Sequence, residues 1–207
     1  MIRLIIFDLD NTLFDTYEQL GVKVLDRMLM RMRKADLTKE QEKVLREKYP
    51  TTGFRILARQ LGLSDEIKRI GMDTYQSMNL SRIKPFADVK LIKDFKQKKV
   101  LVTSGTKDVQ LRKLDILGIK DLFDEVFVDE SSSPENKQRI FSKILKKYSM
   151  KPGEVIVIGD NAESEISAGN KLGMITVQML RRPFLKGKAD YHVKDLYEVK
   201  NILDEMK

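Results

Sequence analysis

The chain is 207 residues long, enough for one core domain and a smaller accessory unit. Hydrophobic residues make up 42% and charged residues 34%, which excludes a disordered chain, and no apolar run approaches the roughly 20 residues of a membrane helix. The net charge of +8 comes from cations scattered among acids, so neither nucleic acid nor a membrane is an expected partner, while a mild positive field suits an anionic small molecule.

The N-terminus, MIRLIIFDLD, is apolar but runs straight into acids without a small-residue cleavage site, so it is not expected to be a signal peptide. With no cysteine there is no disulfide framework and no thiolate metal site, and a cytoplasmic location is expected. Residues 2–7 form a continuous apolar, β-branched run, the pattern of a strand buried on both faces. Residues 16–82 break that pattern: they contain no convincing strand and read as about four helices. Leu20, Val24, Met28 and Met32 fall at helical spacing, so these methionines and Met30 read as packing. Thr38 and Gln41 form a capping box, Gly53 and Gly62 bracket a third helix, and Ser64 caps a fourth.

The chain returns to the sheet near Pro85. Further strands are expected at 99–103, 125–128, 155–158, 175–179 and 191–193. Helices are expected at 109–117, ending at Gly118, at 135–148, with a stripe of Ile140, Phe141, Ile144 and Leu145, and at 163–172, ending at Gly173. The Lys96–Lys99 run reads as a solvated helix end before a strand. Strand–helix alternation implies right-handed βαβ units and a doubly wound α/β fold with a mainly parallel sheet, carried by residues 1–15 and 83–207 and interrupted by the helical insertion 16–82.

Four polar elements fall where strands end or helices begin. The first strand runs into Asp8-Leu9-Asp10-Asn11-Thr12, and period-two geometry puts both acids on one side of an extended segment. Such a pair is either a common loop feature or a site that needs a cation or proton to relieve the repulsion. Thr103-Ser104-Gly105 is either a helix cap or an anion cradle of hydroxyl and amide groups. Lys137, near the start of its helix, is one lysine among many and alone reads as a surface residue. Gly159-Asp160-Asn161, followed by Glu163 and Glu165, is either a cap or a magnesium site. Ligands of doubly wound sheets bind at strand carboxyl ends where the order reverses, so these elements converge if the strands before Asp8 and Asp160 are neighbours.

In this order and at these positions, the four elements resemble the motifs of the haloacid dehalogenase superfamily, over residues 1 to about 200. The resemblance implies a Rossmann-like core and makes the helical insertion a cap that closes over the pocket and selects the substrate. It implies that Asp8 is the nucleophile and forms an aspartyl-phosphate, and that Asp10 is general acid, then base. Mg2+ would be held by Asp8, the Asp10 carbonyl, Asp160 and Glu165, with Glu165 either reaching the metal or steadying Lys137. Thr103, Lys137 and the amides at Ser104 and Gly105 would hold the phosphoryl oxygens. The partner implied is a small-molecule phosphate monoester.

Asp10 separates the reaction classes. Halide needs no proton to leave, and dehalogenase relatives typically lack this second acid, so its presence favours phosphoryl chemistry over a 2-haloacid dehalogenase. Phosphosugar mutation stays open. A receiver-like module fits less well, because its phosphorylated Asp follows a later strand and it carries no such insertion, and a non-catalytic phosphate-binding protein is a further alternative. Arg55 with Arg59, Arg181, Arg182, Phe14 and Asp15 are secondary candidates for substrate contact. His192 reads as a structural strand residue, not a base.

Overall fold

The computed structural model describes residues 1–49, 52–131, 134–182 and 186–206. Its sheet has six strands: β1 (Leu4–Phe7), β2 (Lys98–Ser104), β3 (Glu125–Asp129), β4 (Val155–Gly159), β5 (Ile175–Met179) and β6 (Tyr191–Val193). The order is β3-β2-β1-β4-β5-β6, and every pairing is parallel. Strands 1 and 4 are therefore neighbours, with Phe7 opposite Ile158, and the order reverses between them.

Both faces of the sheet are covered, which explains the unbroken apolar runs. On one face Leu4, Ile6, Val100, Val102, Val155 and Val157 pack against Phe141 and Ile144 of α6 (Pro134–Lys147) and Ala168 of α7 (Ser167–Leu172). On the other, Phe7 stacks on Phe95 at 6.4 Å between ring centres and meets Phe123 edge-on at 5.8 Å. The helix α5 (Lys107–Leu117) follows β2 and ends at Gly118 in the left-handed conformation, a glycine stop.

Internal contacts divide the chain into two compact units, Met1–Asp15 with Lys84–Lys207, and Thr16–Ile83. The second unit carries helices α1 (Val22–Met32), α2 (Lys39–Lys48), α3 (Phe54–Gln60) and α4 (Asp65–Gln76) and no strand among its described residues. Thr38 caps α2 in a full capping box with Gln41, and the Ser64 hydroxyl accepts from the Ile67 amide to cap α4. Met28 and Met32 are fully buried in this unit, but Met30 points outward at 56% exposure and takes no part in its packing.

Several boundaries differ from expectation. Lys98 and Lys99 are not a helix end: they open β2, where Lys99 donates its amide to Asp124 at 2.7 Å. Residues 163–172 do not make one regular helix, since a π-helical turn at Ala162–Ile166 precedes α7. Among the described residues, the longer elements outside the expected set are a 3₁₀ stretch at Ala87–Asp94 and a terminal helix α8 (Leu196–Glu205). The α8 signal is present in the sequence: Asp195 caps it, and Leu196, Val199, Ile202 and Leu203 form its buried stripe.

Candidate active site

Strand β1 delivers Asp8 to the point where the sheet order reverses. Its amide continues the pairing, donating to the Ile158 carbonyl at 2.9 Å, and its side chain is buried. The chain then turns sharply: Asn11 takes a φ of 60°, and the Leu13 amide donates back to Leu9. This turn points the Asp10 carboxylate toward α5, where Gln110 and Lys113 meet it.

Strand β4 ends at Gly159, and here only glycine fits: an added Cβ would lie 2.3 Å from Glu165 Cγ. The Glu165 side chain folds over that glycine. Its Oε1 accepts from the Asn161 amide at 2.6 Å, and its Oε2 accepts from Lys137 Nζ at 2.7 Å. The same ammonium donates to Asp8 Oδ1 at 2.8 Å, so one buried cation bridges two buried carboxylates. Asp160 stands beside them, its own carbonyl accepting from Gln178 Nε2 at 2.9 Å. Asp8, Asp160 and Glu165 each offer a carboxylate oxygen within 4.8 Å of the others. Hard oxygen donors this close make a buried acidic cluster that fits a metal cation.

Burial pushes the Asp8 carboxyl up to about 7, against the downward pull of Lys137 and with Glu165 and Asp10 adding to the rise. Asp160 is raised as well, by burial first and then by Glu165 and Asp8. Burial alone would depress Lys137, but the Asp8 and Glu165 carboxylates outweigh it and keep the ammonium charged.

Strand β2 supplies the remaining group. Thr103 is fully buried, and its Oγ1 accepts from Gln110 Nε2 at 2.6 Å. Gly105, at φ 145°, keeps its amide on the Asp129 carbonyl at 2.9 Å while Gln110 packs against it. The structure thus joins Asp8, Lys137, Glu165 and Asp160 in one cluster, and ties Asp10 to Thr103 through Gln110.

A family model for haloacid dehalogenase-like hydrolases matches residues 5–179. The chain belongs to the haloacid dehalogenase-like hydrolases. It is similar to a glyceraldehyde 3-phosphate phosphatase of Methanopyrus kandleri, with 28% identity covering 87% of this chain and 85% of that one. It is also similar to a glyceraldehyde 3-phosphate phosphatase of Methanocaldococcus jannaschii, at 28% identity over 100% and 99% of the two chains. In fold it resembles a crystal structure of a haloacid dehalogenase-superfamily phosphatase from Thermococcus onnurineus, with a TM-score of 0.69 at 23% identity, covering 98% of each chain.

Within this hydrolase Arg181, Arg182 and Asp15 are engaged in ion pairs, while His192 lies in a strand as expected. Arg181 is a buried structural cation: it grips both oxygens of Asp88 at 2.9 and 2.7 Å, donates to the Thr12 carbonyl at 2.9 Å, and stacks over Phe86. Arg182 pairs with Asp15 at 2.6 Å, so both are engaged with each other. Phe14 is fully buried and cannot touch a solvent-borne substrate from its place in the core. Arg59 is exposed on α3 and Arg55 is half-buried there. His192 lies on β6, with Nε2 3.0 Å from the Gly187 carbonyl.

Two polar residues of the site were not foreseen from sequence. Gln110 and Lys113 lie three apart on α5 within its buried stripe of Val109, Leu114 and Leu117, and both contact Asp10. A lysine inside an apolar helical stripe is the signal that would have found them.

Proposed function

We propose that this hydrolase is a magnesium-dependent phosphatase of small phosphate monoesters, working through an aspartyl-phosphate on Asp8. One observation carries the reading: the Asp8 carboxylate is held at the strand end by a buried lysine, next to a cluster of acids suited to a cation. Asp8 would attack phosphorus and displace the ester oxygen. Lys137 keeps one Asp8 oxygen fixed and adds positive charge beside the incoming phosphoryl group. The Thr103 hydroxyl accepts from Gln110, which leaves its own proton to donate to a phosphoryl oxygen alongside the Ser104 amide, whereas the expected Gly105 amide is already taken by the Asp129 carbonyl. Asp10 would protonate the leaving oxygen and then take a proton from the water that cleaves the aspartyl-phosphate.

The residues proposed to hold Mg2+ are Asp8 and Asp160 of the acidic cluster, with the Asp10 carbonyl that the family resemblance implies. Glu165 belongs to the same cluster, but both its oxygens already accept from Lys137 and Asn161, which favours a role in orienting Lys137. When bound, the ion supplies charge that offsets the repulsion between anionic substrate and anionic nucleophile.

The helical unit, residues 16–82, is read as the cap that selects the substrate. The names of the two archaeal relatives make glyceraldehyde 3-phosphate the first substrate to test. The experiment is phosphate release from that ester and from para-nitrophenyl phosphate, with and without Mg2+. Metal-dependent release supports the reading. Halide release from a 2-haloacid with no phosphate release from either ester would replace it.

A further inference from the structure

The Asp10 carboxylate is held from both sides by α5. Lys113 Nζ lies 2.6 Å from Oδ1, and Gln110 Nε2 lies 2.7 Å from Oδ2. Both partners are buried to 1% exposure or less, whereas the Asp10 side chain keeps 24%. Lys113 also sits over the Phe14 ring, 5.6 Å from its centre, so its ammonium is fixed by an anion and an aromatic face. A buried ammonium is costly unless paired, and here it is spent on a residue at the mouth of the site. Gln110 makes a second link, since the two protons of the same amide nitrogen serve Asp10 and also Thr103 Oγ1 at 2.6 Å and the Ser104 carbonyl at 2.9 Å, one of them shared.

We propose that Lys113 and Gln110 are positioning residues that clamp Asp10 in the orientation from which it exchanges protons with the leaving group and with water, with Gln110 setting Thr103 in the same stroke. This rests on the phosphatase reading of Asp10. The clamp engages one lone pair on each Asp10 oxygen, while the side chain keeps 24% exposure. As the Asp8 oxygen–phosphorus bond forms and the ester oxygen–phosphorus bond breaks, the Asp10 proton passes to the departing oxygen. Lys113 and Gln110 donate hydrogen bonds and transfer nothing.

The clamp is tested by how much each variant depends on the leaving group. An alkoxide needs the proton from Asp10, while para-nitrophenolate leaves with little help. kcat/KM is measured for glycerol 3-phosphate and para-nitrophenyl phosphate, with the inhibition constant of inorganic phosphate as a gauge of binding. Lys113→Met should lose about a hundredfold on the alkyl ester and under about tenfold on the aryl ester, with phosphate inhibition unchanged. Gln110→Met should show the same bias together with weaker phosphate inhibition, because Thr103 loses its partner, and it carries the test if Lys113→Met does not fold. Lys113→Arg should restore part of the alkyl activity. Equal losses on both esters, or a loss explained wholly by phosphate affinity or melting temperature, overturns the clamp while leaving the phosphatase reading intact. A wild-type protein that cleaves neither ester, or an Asp10→Asn variant as active as wild type, sinks the reading beneath it.

Discussion

Lys137 and Asp8 form a buried ion pair across 2.8 Å, the lysine delivered by α6 and the aspartate by β1. Lys137 also neutralises Glu165, so removing it leaves two buried carboxylates without their cation. Lys137→Met should cost about 3–5 kcal/mol of stability in metal-free protein, as is usual when one partner of a buried pair is lost. Chemical denaturation measures this. A variant as stable as wild type would mean that the three groups are not coupled as drawn.

Gly159 makes a second prediction. Its missing Cβ is the space that Glu165 occupies, so Gly159→Ala must push that carboxylate away from Lys137 and Asn161. Overpacking of this kind costs about 1–3 kcal/mol. Turnover should fall with stability, and adding Glu165→Asp, one methylene shorter, should recover part of both. Melting curves and phosphate-release assays of the single and double variants decide it.

Metal removal gives a third. Mg2+ binding at Asp8 and Asp160 should stabilise chelated protein by about 2.7 kcal/mol at a hundredfold excess over the dissociation constant, and so raise its melting temperature. Asp160→Asn should abolish most of that rise. A melting temperature indifferent to Mg2+ in the wild type would remove the metal from the account.

The fourth concerns pH and the helical unit alone. Glu42 is held near 2, below its usual 4.5, first by its hydrogen bonds from Arg33 at 2.7 and 2.5 Å and also by Arg46. A depressed carboxyl contributes stability that is fully present above 4.5 and is lost as pH falls toward 2. Stability of wild type should therefore drop more steeply between about 4.5 and 2 than that of Glu42→Gln. Parallel acid-denaturation profiles would refute the assignment.

The sheet was readable because its strands are buried on both faces and so appear as unbroken apolar runs at 155–158 and 175–179. Helix caps at Thr38 and Ser64 were equally plain, since capping depends on residues close in sequence. The site was legible as strand-end polar residues, and the neighbouring of β1 and β4 is what brings Asp8 and Asp160 together. What local pattern does not contain is the partner of each charge. Arg181 looked available for substrate, but Asp88 stands 93 positions away in sequence, and Lys113 meets Asp10 across 103. The π-helical turn that carries Glu165 over Gly159 was hidden as well, because the one-sided pattern of 163–172 reads as a single regular helix.

The central claim is that Asp8 is the nucleophile of a phosphatase, and Asp8→Asn tests it most directly. With Mg2+ present, the wild type should release phosphate from para-nitrophenyl phosphate, and a folded Asp8→Asn protein should fall to the rate of the uncatalysed control. An Asp8→Asn protein that keeps wild-type turnover would contradict the account.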